Sequence, residues 1–536
     1  MWENLNVPKT IFMAVYIAIL VAVALYGFHR YVLVFLYVKH RNRAIQPKAR
    51  FDEARLPRIT VQLPMFNERH VAERVIRATC AIDYPREKLE IQVLDDSTDE
   101  SAEIARAEVE RWAARGAPIR YLHRSNREGF KAGALQEGMK SATGELIAIF
   151  DADFVPPPDI LRNVVDFFTD DKVGMVQVRW DHLNRDASML TACQAIFLDG
   201  HFVIEHTARN RSGRFMHFNG TAGVWRRSTI DDAGGWQHDT LTEDLDLSYR
   251  AQLKGWQFVY LPQFCAPAEL PPEMIAFKQQ AHRWTKGSAQ TGLKLLPGIL
   301  RSKHLPRAIK TEAFFHLTNT VVYPLMVLLT MLMYPAFIYS DGPWKHIEWG
   351  KVLFSISLFI LATCSASTFF VYAQRELFGR GAIGRSLLYL PILMALGVGV
   401  CLNNTRAFIE ALWTHFRKKQ SEFVRTPKYG VTGRHGKTFR PTNVFTFKRL
   451  TMPIIEIAFG IYMCCFVFIS VYYEYAVISL PFLMIFAGGY LYVGFSSLAV
   501  LWQMHQQQEE GGAQIAAIAA GDAPLPSPAT AEVESL

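Results

Sequence analysis

The sequence predicts an α/β domain with a largely parallel sheet, inserted among transmembrane α-helices. Three observations predict it. Apolar stretches long enough to cross a bilayer lie on both sides of residues 57–270. Within those limits, short runs rich in β-branched residues alternate with helix-like segments. Acidic pairs, Asp95-Asp96 and Asp151-Ala152-Asp153, follow two of the runs, and ligands in open α/β sheets sit at the carboxyl ends of strands.

Composition sets the outer bounds. The 536 residues suffice for more than one domain-sized unit. Half are hydrophobic and 20% charged, but the apolar ones are unevenly spread, unlike a merely rich soluble core. The net charge of +8 comes from basic residues beside the apolar spans. They read as cytoplasmic membrane flanks rather than a nucleic-acid surface. Seven cysteines, an odd count without metal-type spacing, favour reduced thiols over a disulfide framework.

The elements follow in chain order. Residues 11–38 are apolar apart from His29 and Arg30, too long for a signal peptide and lacking its cleavage site. The basic flank that completes 1–50 places the N-terminus outside and the following domain in the cytoplasm. In that domain, 51–270, strands are expected at 59–63, 91–94, 146–150, 175–178 and 258–261. Helices are expected at 71–80, 102–114 and 131–141. Residues 271–310 read as interfacial helices, and 311–376 as two spans at 313–339 and 352–373. The run 387–401 is short and holds Pro391, Gly397 and Gly399. The basic loop from Arg417 to Lys448 should be cytoplasmic, so 387–413 is expected to lie at the interface or re-enter. A short true span is the alternative. That region, 377–450, precedes two spans at 453–472 and 478–501 within 451–503. From Met504 to residue 536, Gln, Glu, Ala, Gly and Pro suggest a disordered tail too short for a regulatory domain.

No Walker-type loop or dinucleotide fingerprint is present. The ordered motifs point elsewhere. Acidic pairs at strand ends suit a metal bound to a nucleotide diphosphate. The later Thr242-Glu243-Asp244 offers a general base. Gln280-Ala281-His282-Arg283-Trp284 suits a phosphate and a sugar ring. Together they read as a membrane enzyme moving a sugar from a nucleotide to an acceptor. Each has a plainer alternative: strand-end caps, an acidic helix N-terminus capped by Thr242, and a basic interfacial helix anchored by Trp284.

At these motifs, and at 61–68, 130–135 and 218–225, the chain resembles processive, membrane-integrated family-2 glycosyltransferases. It is most similar to cellulose-synthase-like proteins of the plant A and C groups, which make mannan and glucan backbones. The resemblance runs from Val61 to about Tyr429. It implies a GT-A-like cytoplasmic domain and a nucleotide-sugar donor, with UDP-glucose favoured and GDP-mannose next. It also implies a Mg²⁺ or Mn²⁺ cofactor and inverting transfer to a nascent β-linked polysaccharide threaded through the bilayer. A bacterial inner membrane, or another membrane that faces the cytoplasm, is the expected location.

The same resemblance assigns roles. Phe66 and Glu68 would hold the base, and Asp96 the nucleoside, with Asp95 supporting the turn. Asp153 would coordinate the metal, Asp151 would support it and contact the nucleotide or sugar, and Lys131 would touch diphosphate. Asp244 is the candidate base. Arg283 would stabilise the departing diphosphate, Trp284 would stack on the acceptor sugar, and Gln280 would orient one of them. Gly220 and Thr221 would line the acceptor and donor end of the pocket. Phe423-Val424-Arg425-Thr426-Pro427-Lys428 resembles the Phe-x-x-Thr-x-Lys gating loop of cellulose synthases. There Thr426 would bond the donor and Lys428 its phosphate, although those enzymes have Val where Arg425 stands. The plainer reading of this loop is a basic segment attracted to anionic lipid. Two rival functions stay open: transfer of one sugar to a glycolipid acceptor such as ceramide, and a transporter or binding scaffold with a dead enzyme domain.

Overall fold

A computed structural model describes residues 7–340, 349–417, 421–432, 446–472 and 479–519. Side chains at 7, 9, 337–340, 349–363 and 511–519 lie outside that description. The chain forms two units, the first holding the α/β domain and the second holding Ala395–Val400 and Thr438–Leu536.

The first unit is built on a seven-stranded sheet of order β3-β2-β1-β4-β6-β5-β7. The strands are β1 (Ile59–Met65), β2 (Leu89–Asp95), β3 (Ile119–His123), β4 (Leu146–Ile149), β5 (Val173–His182), β6 (Gly223–Arg226) and β7 (Gln257–Ala268). β1 pairs in parallel with β2 and β4, β2 with β3, and β5 with β7, whereas β6 runs antiparallel between β4 and β5. The mixed sheet is thus parallel over most of its width, as the alternation of strands and helices predicts. Side chains alternate between two apolar layers. On β4, Leu146 and Ala148 enter one and Ile147 and Ile149 the other. Burial on both faces explains why the strands read as nearly continuous apolar runs. Polar exceptions are paired: Thr60 donates to Glu90 at 2.7 Å and Gln62 to Gln92 at 3.1 Å.

The three predicted helices form at Ala72–Cys80, Ser101–Ala114 and Phe130–Ser141. Strands β1, β2 and β4 therefore end on one edge, where Met65 stands opposite Asp95 and Gln62 opposite Ile149. The break in strand order between β1 and β4 opens the crevice there.

Among the described residues, five helical stretches are long and apolar enough to cross a membrane: Thr10–His40, Arg307–Ala336, Ala382–Phe416, Phe447–Tyr472 and Leu480–Glu510. The run expected at 352–373 lies on the helix Trp349–Phe378. The stretch Ala382–Phe416 is two helices, Ala382–Gly399 and Cys401–Phe416, with Pro391 inside the first. Tyr37 of the first helix and Arg41 just beyond its end bond Glu376 at 2.9 and 3.0 Å. In the second unit Gly489 faces the backbone of Ala395, where an added Cβ would collide with its carbonyl oxygen. Small residues permit such close helix packing. The helix Leu480–Ala519 continues past Met504, where a disordered tail is expected. Gln, Glu and Ala are good helix formers, so the change of composition there does not end the helix.

Candidate active site

All the residues predicted for the site line one cavity at this sheet edge, apart from Thr221. One end of the cavity is made by the turns after β1 and β2. Asn67 adopts φ 55°, a left-handed conformation that Asn tolerates better than most residues. Its side chain accepts from Thr98 N at 2.9 Å and its N–H donates to Ser97 Oγ at 2.8 Å, so the two turns are tied together. Asp95 supports the second turn as expected, accepting from Ser97 and, at 2.6 Å, from Tyr121. Asp96 is held by both Nε and Nη2 of Arg124, at 2.7 and 2.5 Å. Arg127 lies 3.4 Å over the Phe66 ring.

Glu68 lies in the first turn with its side chain largely covered. Burial pushes its carboxyl up to about 7, against the opposing pull of Arg425 and Lys428. Arg425 Nη1 stands 3.0 Å from Glu68 Oε2, an ion pair without good hydrogen-bond geometry, because both atoms lack a hydrogen-bond partner.

The middle of the cavity carries the acid pair that follows β4. Lys131 Nζ donates to Asp151 Oδ1 at 2.5 Å and to the Gly220 carbonyl at 3.0 Å. Burial works against the Lys131 charge, but Asp151 and its neighbours outweigh it and the pKa is raised. Lys428 Nζ donates to Asp153 Oδ2 at 2.6 Å, and Tyr429 N to Glu269 Oε1 at 2.8 Å. Asp153 is thus a buried carboxylate already matched to a cation. Its hard oxygens, with Asp151 two residues away, fit a divalent ion of the Mg²⁺ or Mn²⁺ type.

A further wall of the cavity is built from two helices. Asp244 lies in the first turn of Glu243–Leu253, where its Oδ1 accepts from Leu245 N at 2.8 Å. Burial first, then the neighbouring Glu243 charge, raises the Asp244 pKa above the ordinary carboxylate range. Glu243 is raised too, chiefly by burial. Gly220 has φ +81°, and a Cβ there would sit 2.9 Å from Asp244 Oδ2. Thr221 stands behind the wall and accepts from Asp151 N at 2.9 Å. Gln280, Arg283 and Trp284 come from Met274–Arg301. Arg283 lies 4.7 Å from the Phe423 ring centroid, and Phe423 stacks on Phe130 at 5.8 Å. The segment 421–432 therefore reaches into the cavity.

Residues 57–287 match the family described as "Glycosyltransferase like family 2". Glucomannan 4-beta-mannosyltransferase 1 of Oryza sativa subsp. japonica is 42% identical over 304 residues, 55% of this chain and 58% of that protein. Probable glucomannan 4-beta-mannosyltransferase 10 of Arabidopsis thaliana is 34% identical over 458 residues, 81% of this chain and 78% of that protein. The chain belongs to glycosyltransferase family 2. Its fold is accordingly GT-A-like. It spans less than two thirds of the first of these relatives. A solved structure, the mannosyltransferase PcManGT from Pyrobaculum calidifontis in complex with GDP-Man and Mn²⁺, is 22% identical. It covers 68% of this chain and 99% of its own, with a TM-score of 0.47.

This family-2 glycosyltransferase differs locally from what its sequence suggests. The Thr242 side chain does not cap the following helix. Its hydroxyl bonds Thr291 at 3.1 Å instead, and Asp244 takes the free Leu245 N–H. Arg124, Arg127, Glu269 and Asn219 were not legible as site residues. Arg124 gains its place from the pairing of β3 with β2, Arg127 from the Phe66 ring, Glu269 from the loop at 421–432 and Asn219 from the histidines around it, and no local spacing announces them.

Proposed function

We propose that this enzyme is a membrane-integrated inverting β-mannosyltransferase that extends a glucomannan-type polysaccharide from GDP-mannose. The observation that carries the reading is one cavity holding Asp244 with its raised pKa, the Asp151–Asp153 pair and the Arg283-Trp284 pair. The family resemblance favours UDP-glucose with GDP-mannose next, and no residue of the motifs decides between them. Relatives named as mannosyltransferases reverse that order. They also favour a polysaccharide acceptor over the single-sugar glycolipid alternative. These relatives are plant proteins, so the membrane need not be a bacterial one. The positive-inside argument still places the sheet domain on the cytoplasmic side. On that topology the broken pair Ala382–Gly399 and Cys401–Phe416 re-enters or lies at the interface, despite a length sufficient to cross.

In the transfer, an acceptor hydroxyl oxygen bonds to the anomeric carbon as the bond from that carbon to the diphosphate oxygen breaks. Asp244 takes the hydroxyl proton. Arg283, Lys131 and Lys428 meet the charge that develops on the departing diphosphate. A divalent cation held by Asp153 and Asp151 would neutralise part of the same charge. Trp284 offers a flat face to the acceptor sugar. The cavity measures about 170 Å³, below the roughly 300–1,000 Å³ of ligand pockets. We take the segment 421–432 to withdraw on donor entry and close again over the bound nucleotide.

The test is turnover of purified protein in nanodiscs with radiolabelled GDP-mannose or UDP-glucose, with and without Mn²⁺ or Mg²⁺. A long product cut by β-mannanase and made from GDP-mannose supports the proposal. A single labelled sugar in the lipid extract, or turnover with UDP-glucose alone, overturns it.

A further inference from the structure

Three histidines that take no part in this chemistry converge on Asn219, next to Gly220. His201 and His206 belong to Gly200–His206, a π-helical turn. Residues five apart face the same way in an i→i+5 turn, whereas an α-helix would splay them by about 140°. His217 comes from the loop beyond. The Asn219 carbonyl accepts from His206 Nε2 at 2.5 Å, and its amide nitrogen donates to His201 Nε2 and His217 Nε2 at 3.0 and 3.1 Å. This polarity puts the His206 proton on Nε2 and those of His201 and His217 on Nδ1. His201 Nδ1 meets Glu205 at 2.9 Å. Burial holds His206 and His217 well below the ordinary imidazole range, so both stay neutral.

A bound transition metal is the competing account, since the three imidazoles offer ligand atoms within 4.8 Å of one another. Two observations weigh against it. The Asn219 amide already bonds all three Nε2 atoms. A metal-bound histidine donates its other N–H to a carboxylate or carbonyl, yet Nδ1 of His206 and of His217 has no hydrogen-bond partner among the described residues.

We propose that His201, His206 and His217 are positioning residues that clamp the Asn219 amide and thereby fix the Gly220–Thr221 turn. That turn accepts from Lys131 through the Gly220 carbonyl and from Asp151 N through Thr221 Oγ1. It also abuts Asp244. The cluster reaches the Asp244 helix by a second route. The His217 ring lies 4.9 Å from His316, whose Nδ1 bonds Tyr249 Oη at 2.7 Å. The kinetic part of this inference rests on the proposed transfer reaction, and the structural part does not.

The test compares wild type with His206→Ala, His217→Ala, Asn219→Ala and His206→Gln in full-length protein in nanodiscs. Three quantities are read: kcat with donor KM, the rate at which an amine-reactive reagent modifies Lys131, and transition-metal content. The alanine variants should lose about tenfold or more in kcat, because small misplacements of reacting groups cost that much. Donor KM should hold within about twofold, and Lys131 should label faster. His206→Gln, whose amide places an N–H near the Nε2 position, should restore both. If an alanine variant does not fold, His206→Asn replaces it and should lose what His206→Gln keeps. Wild-type kcat and labelling in the alanine variants would overturn the proposal. So would one equivalent of metal in wild type that His206→Ala loses. If wild-type protein transfers no sugar the function reading fails, while Lys131 labelling still decides the clamp.

Discussion

Lys428 donates to Asp153 Oδ2 at 2.6 Å across 275 residues of sequence. The ammonium thus stands against the carboxylate assigned to the metal. It leaves that position only if another cation or a phosphate compensates both groups, because an uncompensated buried charge is costly.

Lys428→Met removes the competitor and the phosphate contact together. The half-saturating concentration of Mn²⁺ should fall several-fold. At the same time kcat/KM should drop by about tenfold or more, since hydrogen bonds to charged groups contribute roughly 1.5–3 kcal/mol. Metal titrations of initial rate read both. An unchanged metal requirement would mean that Lys428 and the cation do not share Asp153.

Gly220→Ala tests the wall against Asp244. The left-handed backbone, at φ +81°, disfavours any side chain by about 1–2 kcal/mol. The new Cβ would in addition press on Asp244 at 2.9 Å. Turnover should fall about a hundredfold while nucleotide affinity, measured by calorimetry, changes little. Parallel loss of both would point to a misfolded domain instead.

Much of this arrangement is legible in the sequence because parallel strands buried on both faces leave continuous apolar runs, and the acids that end β2 and β4 mark the functional edge. Two strands escape that signal. β3 is an edge strand carrying Arg120 and His123, both exposed. β6, Gly223–Arg226, is only 4 residues long and runs antiparallel between β4 and β5. The bidentate hold of Arg124 on Asp96 depends on β3, so it is hidden with it. The π turn that aligns His201 with His206 breaks the 3.6-residue period on which helix reading relies.

Asp244→Asn should reduce turnover by about 10²–10⁴-fold, the usual contribution of a positioned base, with GDP binding retained. The pH dependence gives a finer test. A base acts when deprotonated, and burial with the Glu243 charge raises the Asp244 pKa. In wild type kcat/KM should therefore climb with pH along an acidic limb above the ordinary carboxylate range. Glu243→Gln removes the neighbouring negative charge, lowers the Asp244 pKa and moves the limb to lower pH. A limb that stays in place, or moves up, would remove Asp244 from the role of base.

Glu68 offers a test of donor choice. As a carboxylate it can accept from two adjacent N–H groups, such as those on the Watson–Crick edge of guanine, whereas uracil presents one N–H between two carbonyls. Its pKa of about 7 leaves the ionised form increasingly populated as pH rises through neutrality. GDP affinity should therefore strengthen from about pH 6 to 8, and UDP affinity should not follow. Glu68→Gln replaces one acceptor oxygen by a donor and should weaken GDP by about tenfold or more. It should also flatten the pH dependence, with UDP nearly unaffected. Calorimetric titration of both nucleotides at the two pH values reads this directly. Equal losses for GDP and UDP would show that Glu68 supports the turn without reading the base.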